Sequence, residues 1–303
     1  WVKTPRPALP INNLYMGAEY RYDPKQGFSS FSEDRIFCIS KIEGKPIENE
    51  EIAILLQPGE KIDVSFCLPH EPISMERAEQ LAQESEKSRY EACKTYWQNK
   101  LNQAAQITLP EQRIDEMIRA GLLHLDMVTY GKEPDGTLAA NVGVYTPIGT
   151  ESAPIIQFYL SMGWNDIAKR ALNYFIETQQ EDGRIENYNG YMVETGAVLW
   201  SIGEYYRYTR DREWIEQITP SLEKACNYLH QWRDRSKKDS LRGKGYGMID
   251  GKVADPEDHF HQFMLNGYGY LGVKRMAEVF AAIGENEKAQ NLQTEADDWK
   301  KDI

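Results

Sequence analysis

Cysteine is scarce: four residues in 303 (Cys38, Cys67, Cys93 and Cys226), none in a Cys-x-x-Cys or Cys/His spacing. That excludes the usual zinc frameworks, and no metal site and no cofactor are expected. Cys38 and Cys67 fall in strand-like runs and are expected as free buried thiols, with a pairing between them as the alternative. No apolar run reaches the length needed to cross a membrane. Positive charge is in deficit, 35 Lys and Arg against 47 Asp and Glu for a net charge of -12. This argues against nucleic acid and anionic membrane surfaces as partners. No leader pattern is visible, but the first residue is Trp1 rather than Met, so that absence carries no information about location. No fixed short repeat is present, which excludes a short-period solenoid.

The chain is otherwise that of an ordinary globular protein, with 41% hydrophobic and 27% charged residues, enough for one or two domains. It is generous in aromatics, with 18 Tyr and 7 Trp. Most are expected in the core. Those at loop–helix joints could instead stack on the flat apolar faces of sugar rings.

Residues 1–72 read as β, a sandwich segment. Arg35-Ile36-Phe37-Cys38-Ile39 and Ile52-Ala53-Ile54-Leu55-Leu56 are short apolar runs, and Ile62 to Leu68 alternates with period two. Gly, Pro and Asn punctuate them. Residues 73–105 read as a linker helix, capped by Ser74 and running from about Met75 to Leu101. Gln106 to Pro110 is a short extended joint.

From there to Ile303 the pattern is helical. Ile114, Ile118, Leu122, Leu125 and Val128 keep helical spacing, and further helices are expected near 151–162, 166–180, 192–208, 212–234, 258–283 and 286–301. Three short polar turns join them in pairs: Met162-Gly163-Trp164-Asn165-Asp166, Tyr208-Thr209-Arg210-Asp211 and Ile283-Gly284-Glu285-Asn286. Helices apolar around much of their circumference, such as Val198-Leu199-Trp200-Ser201-Ile202, fit an inner ring. The polar 286–301 helix fits an outer one.

Between the pairs lie long loops rich in Gly, Asp, Asn and Tyr. Residues 131–152 end at Tyr145, Thr150 and Glu151, and residues 180–191 carry Tyr188 and Tyr191 and lead into Glu194. Each acid also suits a helix start. Residues 245–261 end in Asp255-Pro256-Glu257-Asp258-His259-Phe260-His261, where Asp255 and Pro256 form a near-ideal helix start. His259 and His261, two apart, would point to different helix faces, so they do not read as a metal pair.

Taken together, these features resemble the (α/α)6-barrel glycosidases and sugar phosphorylases, the glucoamylase-like, rhamnosidase-like and maltose- or cellobiose-phosphorylase-like enzymes. The resemblance is carried by Gln179-Gln180-Glu181-Asp182-Gly183-Arg184-Ile185, by Glu194-Thr195-Gly196 with Glu204 to Asp211, and by Asn266-Gly267-Tyr268-Gly269-Tyr270-Leu271-Gly272 running into Ala281 to Gly284. It covers roughly residues 75–303. It implies a mainly α chain: an N-terminal β-sandwich, a linker helix, and a toroid of helical hairpins. Residues 106–303 would be the first half of the barrel, truncated at the C-terminus.

The resemblance further implies a glycoside hydrolase acting on oligo- or polysaccharide, with inversion. The general acid would sit at 255–258, Glu257 first and Asp255 second, and the base in a later hairpin. Glu151, Glu194, Tyr145, Tyr188, Tyr191, Asp258, His259 and Phe260 would contact substrate. An inverting phosphorylase, a polysaccharide lyase and a non-catalytic helical-repeat interaction protein are the alternatives. A carbohydrate is the expected partner, and a periplasmic or extracellular location is favoured slightly over a cytoplasmic one.

Overall fold

The computed structural model describes residues 19–49, 52–69, 72–131, 135–143, 145–188, 190–254 and 259–303. Two compact units divide it, Trp1–Tyr96 and Trp97–Ile303.

In the first unit, β-branched and aromatic runs form an antiparallel sheet: β1 (Arg21–Asp23), β2 (Phe28–Ser30), β3 (Ile36–Ile42), β4 (Lys45–Pro46) and β5 (Val64–Cys67). The order is β1-β2-β3-β4, with β5 also paired to β3. The β1–β2 turn needs Gly27, whose φ is +73° and whose added Cβ would lie 2.3 Å from the Ser40 carbonyl oxygen. Phe28, Ile36 and Ile39 pack with Ala78 of α1 (Met75–Gln83). Cys67 is in register with Ile39, the neighbour of Cys38. Successive strand residues face opposite ways, so the two thiols lie on opposite faces of the sheet. Both are free, and Cys67 is half-buried. The expected strand Ile52–Leu56 does not form. That stretch is irregular, and Leu55 is 84% exposed.

Ser74 accepts from the Arg77 amide and starts α1 as expected. A second cap follows, because Ser85 Oγ accepts from the Ser88 amide at 3.1 Å. It opens α2 (Glu86–Gln103), so two helices occupy the stretch read as one.

The second unit is helical: α3 (Gln112–Met127), α4 (Gly149–Ser161), α5 (Asn165–Glu177), α6 (Glu194–Thr209), α7 (Arg212–Asp234), α8 (Phe263–Ile283) and α9 (Asn286–Asp302). An unforeseen two-stranded hairpin, β6 (Thr129–Gly131) with β7 (Leu138–Ala140), lies between α3 and α4. The apolar helices α4, α6 and α8 pack side by side, α6 in the middle, and each is followed by a more polar partner, α5, α7 or α9. This is part of an (α/α)6 toroid, and the chain is mainly α.

Small residues let the inner helices touch. A Cβ added at Gly196 would lie 2.6 Å from the Tyr268 carbonyl carbon, and one at Gly272 would lie 2.6 Å from the Gly196 oxygen. Short turns close the hairpins. Gly163 and Gly284 take positive φ there, as does Arg210, after which Asp211 caps α7 by accepting from the Trp214 amide at 3.1 Å. Among the described residues no helix is long and apolar enough to cross a membrane.

Candidate functional site

Because the short turns sit at the C-terminal ends of α4, α6 and α8, the long loops must collect at their N-terminal ends. The first turns of these inner helices carry buried polar side chains that tie the loops down. On α4, Ser152 Oγ donates to the Ala140 carbonyl at 2.6 Å, fixing the end of the β6–β7 hairpin. On α6, Thr195 Oγ1 accepts from the Ile185 amide at 3.0 Å. On α8, the Asn266 side chain is wholly buried and accepts from the Ile249 amide and the Trp299 indole at 2.8 and 3.0 Å. Its amide nitrogen donates to the Ile249 and Gln262 carbonyls, each at 2.9 Å. Near the start of the third loop, Arg233 donates to the Gly247 carbonyl and pairs with Glu295, Asp298 and Asp302 of α9.

Glu194 has no exposed surface. One carboxylate oxygen accepts from the amides of Asn187 and Tyr188 at 2.8 and 3.3 Å. The other accepts from the Gly149 amide at 3.0 Å and the Asn187 side chain at 3.4 Å. Burial pushes its carboxyl above the usual carboxylate range, against the pull of these donors. The expectation that Glu194 contacts substrate through its carboxylate therefore meets an obstacle: the group is spent on backbone ties and does not reach solvent.

Those ties bring the first two loops together, reinforced by Thr146 Oγ1 donating to the Asn187 carbonyl at 3.1 Å. Tyr145 and Tyr188 meet edge-to-face at 4.9 Å between ring centroids, and Tyr188 and Tyr191 at 5.4 Å. Tyr145 is half exposed. Glu151 sits nearby in the first turn of α4, partly exposed.

The third loop joins them. The Met192 amide donates to the Lys252 carbonyl at 2.9 Å, and the buried Lys252 ammonium lies 5.3 Å from the Tyr191 ring centre. Gly251 and Phe260 pair as an isolated antiparallel bridge. His259 and Phe260 are exposed, as are Phe263 and Met264 at the start of α8. Asp255, Glu257 and Asp258 lie outside the described residues.

The three tyrosines singled out in the sequence lie together, whereas no loop-anchoring role is expected from the sequence for Ser152, Thr195, Asn266 or Lys252. A polar residue in the first turn of an otherwise apolar helix is the available signal. Another missed pair is Trp200 and Tyr268, half-buried between α6 and α8 with centroids 6.1 Å apart. The motif Gln179 to Ile185 has a packing role, since Gln179 donates to the Gly183 and Ser221 carbonyls at 3.1 and 2.9 Å. A small open recess is lined by Leu101, Ile107, Ile118, Leu122 and Met162. It lies at the far end of α4, roughly 20 Å from the tyrosines at 1.5 Å rise per residue. Among the described residues no group of three or more His, Cys, Asp or Glu could hold a metal ion.

No family model matches the chain, and no curated protein does. Among solved structures it is similar to a bacterial glucoamylase complexed with acarbose, with a TM-score of 0.55 and 13% identity over 79% of this chain. The match covers 35% of the glucoamylase, so the chain spans about a third of that enzyme's length. At this identity the likeness is one of fold, and it is to a glucoamylase that the helical-hairpin architecture of this chain is similar.

Proposed function

We propose that the protein is a glycoside hydrolase acting on oligo- or polysaccharide with inversion. The observation that carries this reading is the convergence of three loops at the N-terminal ends of α4, α6 and α8, presenting Tyr145, Tyr188 and Tyr191 together. Tyrosine offers an apolar face for a sugar ring and a hydroxyl for its polar edge. The likeness of fold to a glucoamylase supports the same reading.

Inversion needs an acid to protonate the leaving oxygen and a base to activate water from the opposite face. Glu257 is assigned as the acid, with Asp255 second. Asp258, His259 and Phe260 beside it, and Glu151 across the loops, are assigned to substrate. A lyase would need an accessible cation to neutralise a uronate. Among the described residues of the three loops, Lys252 is only 4% exposed and Arg184 is engaged by Gln180 and Glu186, which disfavours that chemistry.

Incubation with a panel of oligosaccharides, followed by NMR of the first-formed anomer with and without inorganic phosphate, tests the reading. Reducing sugar of inverted configuration, formed without phosphate, is expected. A sugar 1-phosphate would make the protein a phosphorylase, and an ultraviolet-absorbing uronate product a lyase. No turnover across the panel would contradict an enzymatic role.

A further inference from the structure

We propose that Glu194 is a positioning residue that sets the tyrosine array by clamping the loop ahead of α4 to the loop ahead of α6. What the array binds rests on the carbohydrate reading above; the clamp itself does not. Tyr145 belongs to one loop, and Tyr188 and Tyr191 to the other. Nothing in their sequence spacing brings them into contact. The carboxylate bridges the gap: the Gly149 amide donates to one oxygen, and the Asn187 and Tyr188 amides to the other.

The chemistry calls for a carboxylate. A buried charge is tolerated when several hydrogen bonds satisfy it, and here three backbone amides and one side-chain amide point at it. A glutamine offers one acceptor oxygen and sets an NH2 against the other donors. Turned one way it would drop the Gly149 amide; turned the other, it would drop the Asn187 and Tyr188 amides and keep the second loop only through the Asn187 side chain. The exposed tie from Thr146 to the Asn187 carbonyl would remain, but it spans the loops once, at their surface.

The test is hydrogen exchange on the wild type and Glu194→Gln. Exchange at the Gly149, Asn187 and Tyr188 amides should rise at least tenfold for one loop or both, while the interior of α6 stays protected. Unchanged exchange would overturn the clamp. Should Glu194→Gln fail to fold, Thr146→Val decides: exchange over residues 145–152 should change less than about threefold, because Glu194 still holds. A tenfold rise would make Thr146 the clamp instead.

A second arm titrates maltotetraose, cellotetraose and xylotetraose by calorimetry. The tetraose that binds the wild type should bind Glu194→Gln at least tenfold more weakly, with KM raised and kcat within about threefold. Equal affinity would contradict a positioning role. A wild type that binds none of the three contradicts the carbohydrate reading, and the exchange result still decides the clamp.

Discussion

The side chain of Asn266 pairs with the main chain of Ile249 as a strand residue would, accepting from its amide at 2.8 Å and donating to its carbonyl at 2.9 Å. An inner helix thereby holds the backbone of the loop leading to residues 255–258. Ser152 on α4 and Glu194 and Thr195 on α6 do the same for their loops.

Asn266→Leu should therefore be severely destabilising. It leaves the Ile249 amide and carbonyl and the Trp299 indole without these partners inside the protein. At about 1–3 kcal/mol per unsatisfied buried group, a loss of at least about 3 kcal/mol is expected in urea denaturation. A loss under about 1 kcal/mol would contradict the anchor.

Gly196→Ala gives a test of sign. In an exposed helix the change would stabilise by about 0.5–1 kcal/mol. Here the added methyl would meet the backbone of α8 2.6 Å away, and overpacking of this kind costs about 1–3 kcal/mol. Net destabilisation is expected in the same urea titration, and a gain in stability would mean that α6 and α8 part without strain.

The helical part is largely readable in the sequence. Gly163, Asp211 and Gly284 mark the short turns, and the apolar breadth of 194–209 against the polarity of 286–302 separates inner from outer helices. Other features depend on tertiary context. Strands β6 and β7 have three residues each, too few for a period to show. The Ile52–Leu56 run is apolar enough for a strand yet lacks a partner strand among the described residues. Glu194 suits both a helix start and a ligand contact. Its burial among three backbone amides follows from where two distant loops meet, which no local pattern encodes.

Acid should weaken the tie between α7 and α9. Arg233 beside Asp298 holds the Asp298 carboxyl below the usual aspartate value of 3.8. A lowered pKa contributes stability above the unfolded value and loses it as pH falls through the folded one. Asp298 is half exposed, so screening keeps the effect under about 1 kcal/mol. Melting of the wild type should exceed that of Asp298→Asn at pH 7, with the gap closing below pH ~3.8. A gap independent of pH would contradict the ion pair.

We propose Glu257, which lies between Gly251 and Phe260 in the sequence, as the general acid for glycoside cleavage. The most direct measurement compares Glu257→Gln with the wild type on a natural glycoside and on one with an activated leaving group. Glutamine keeps the shape but cannot donate the proton. Turnover of the natural substrate should fall by ~10²–10⁴-fold with binding nearly intact. The activated substrate should be partly spared, because its leaving group needs less protonation. Equal and small losses on both substrates would contradict the assignment.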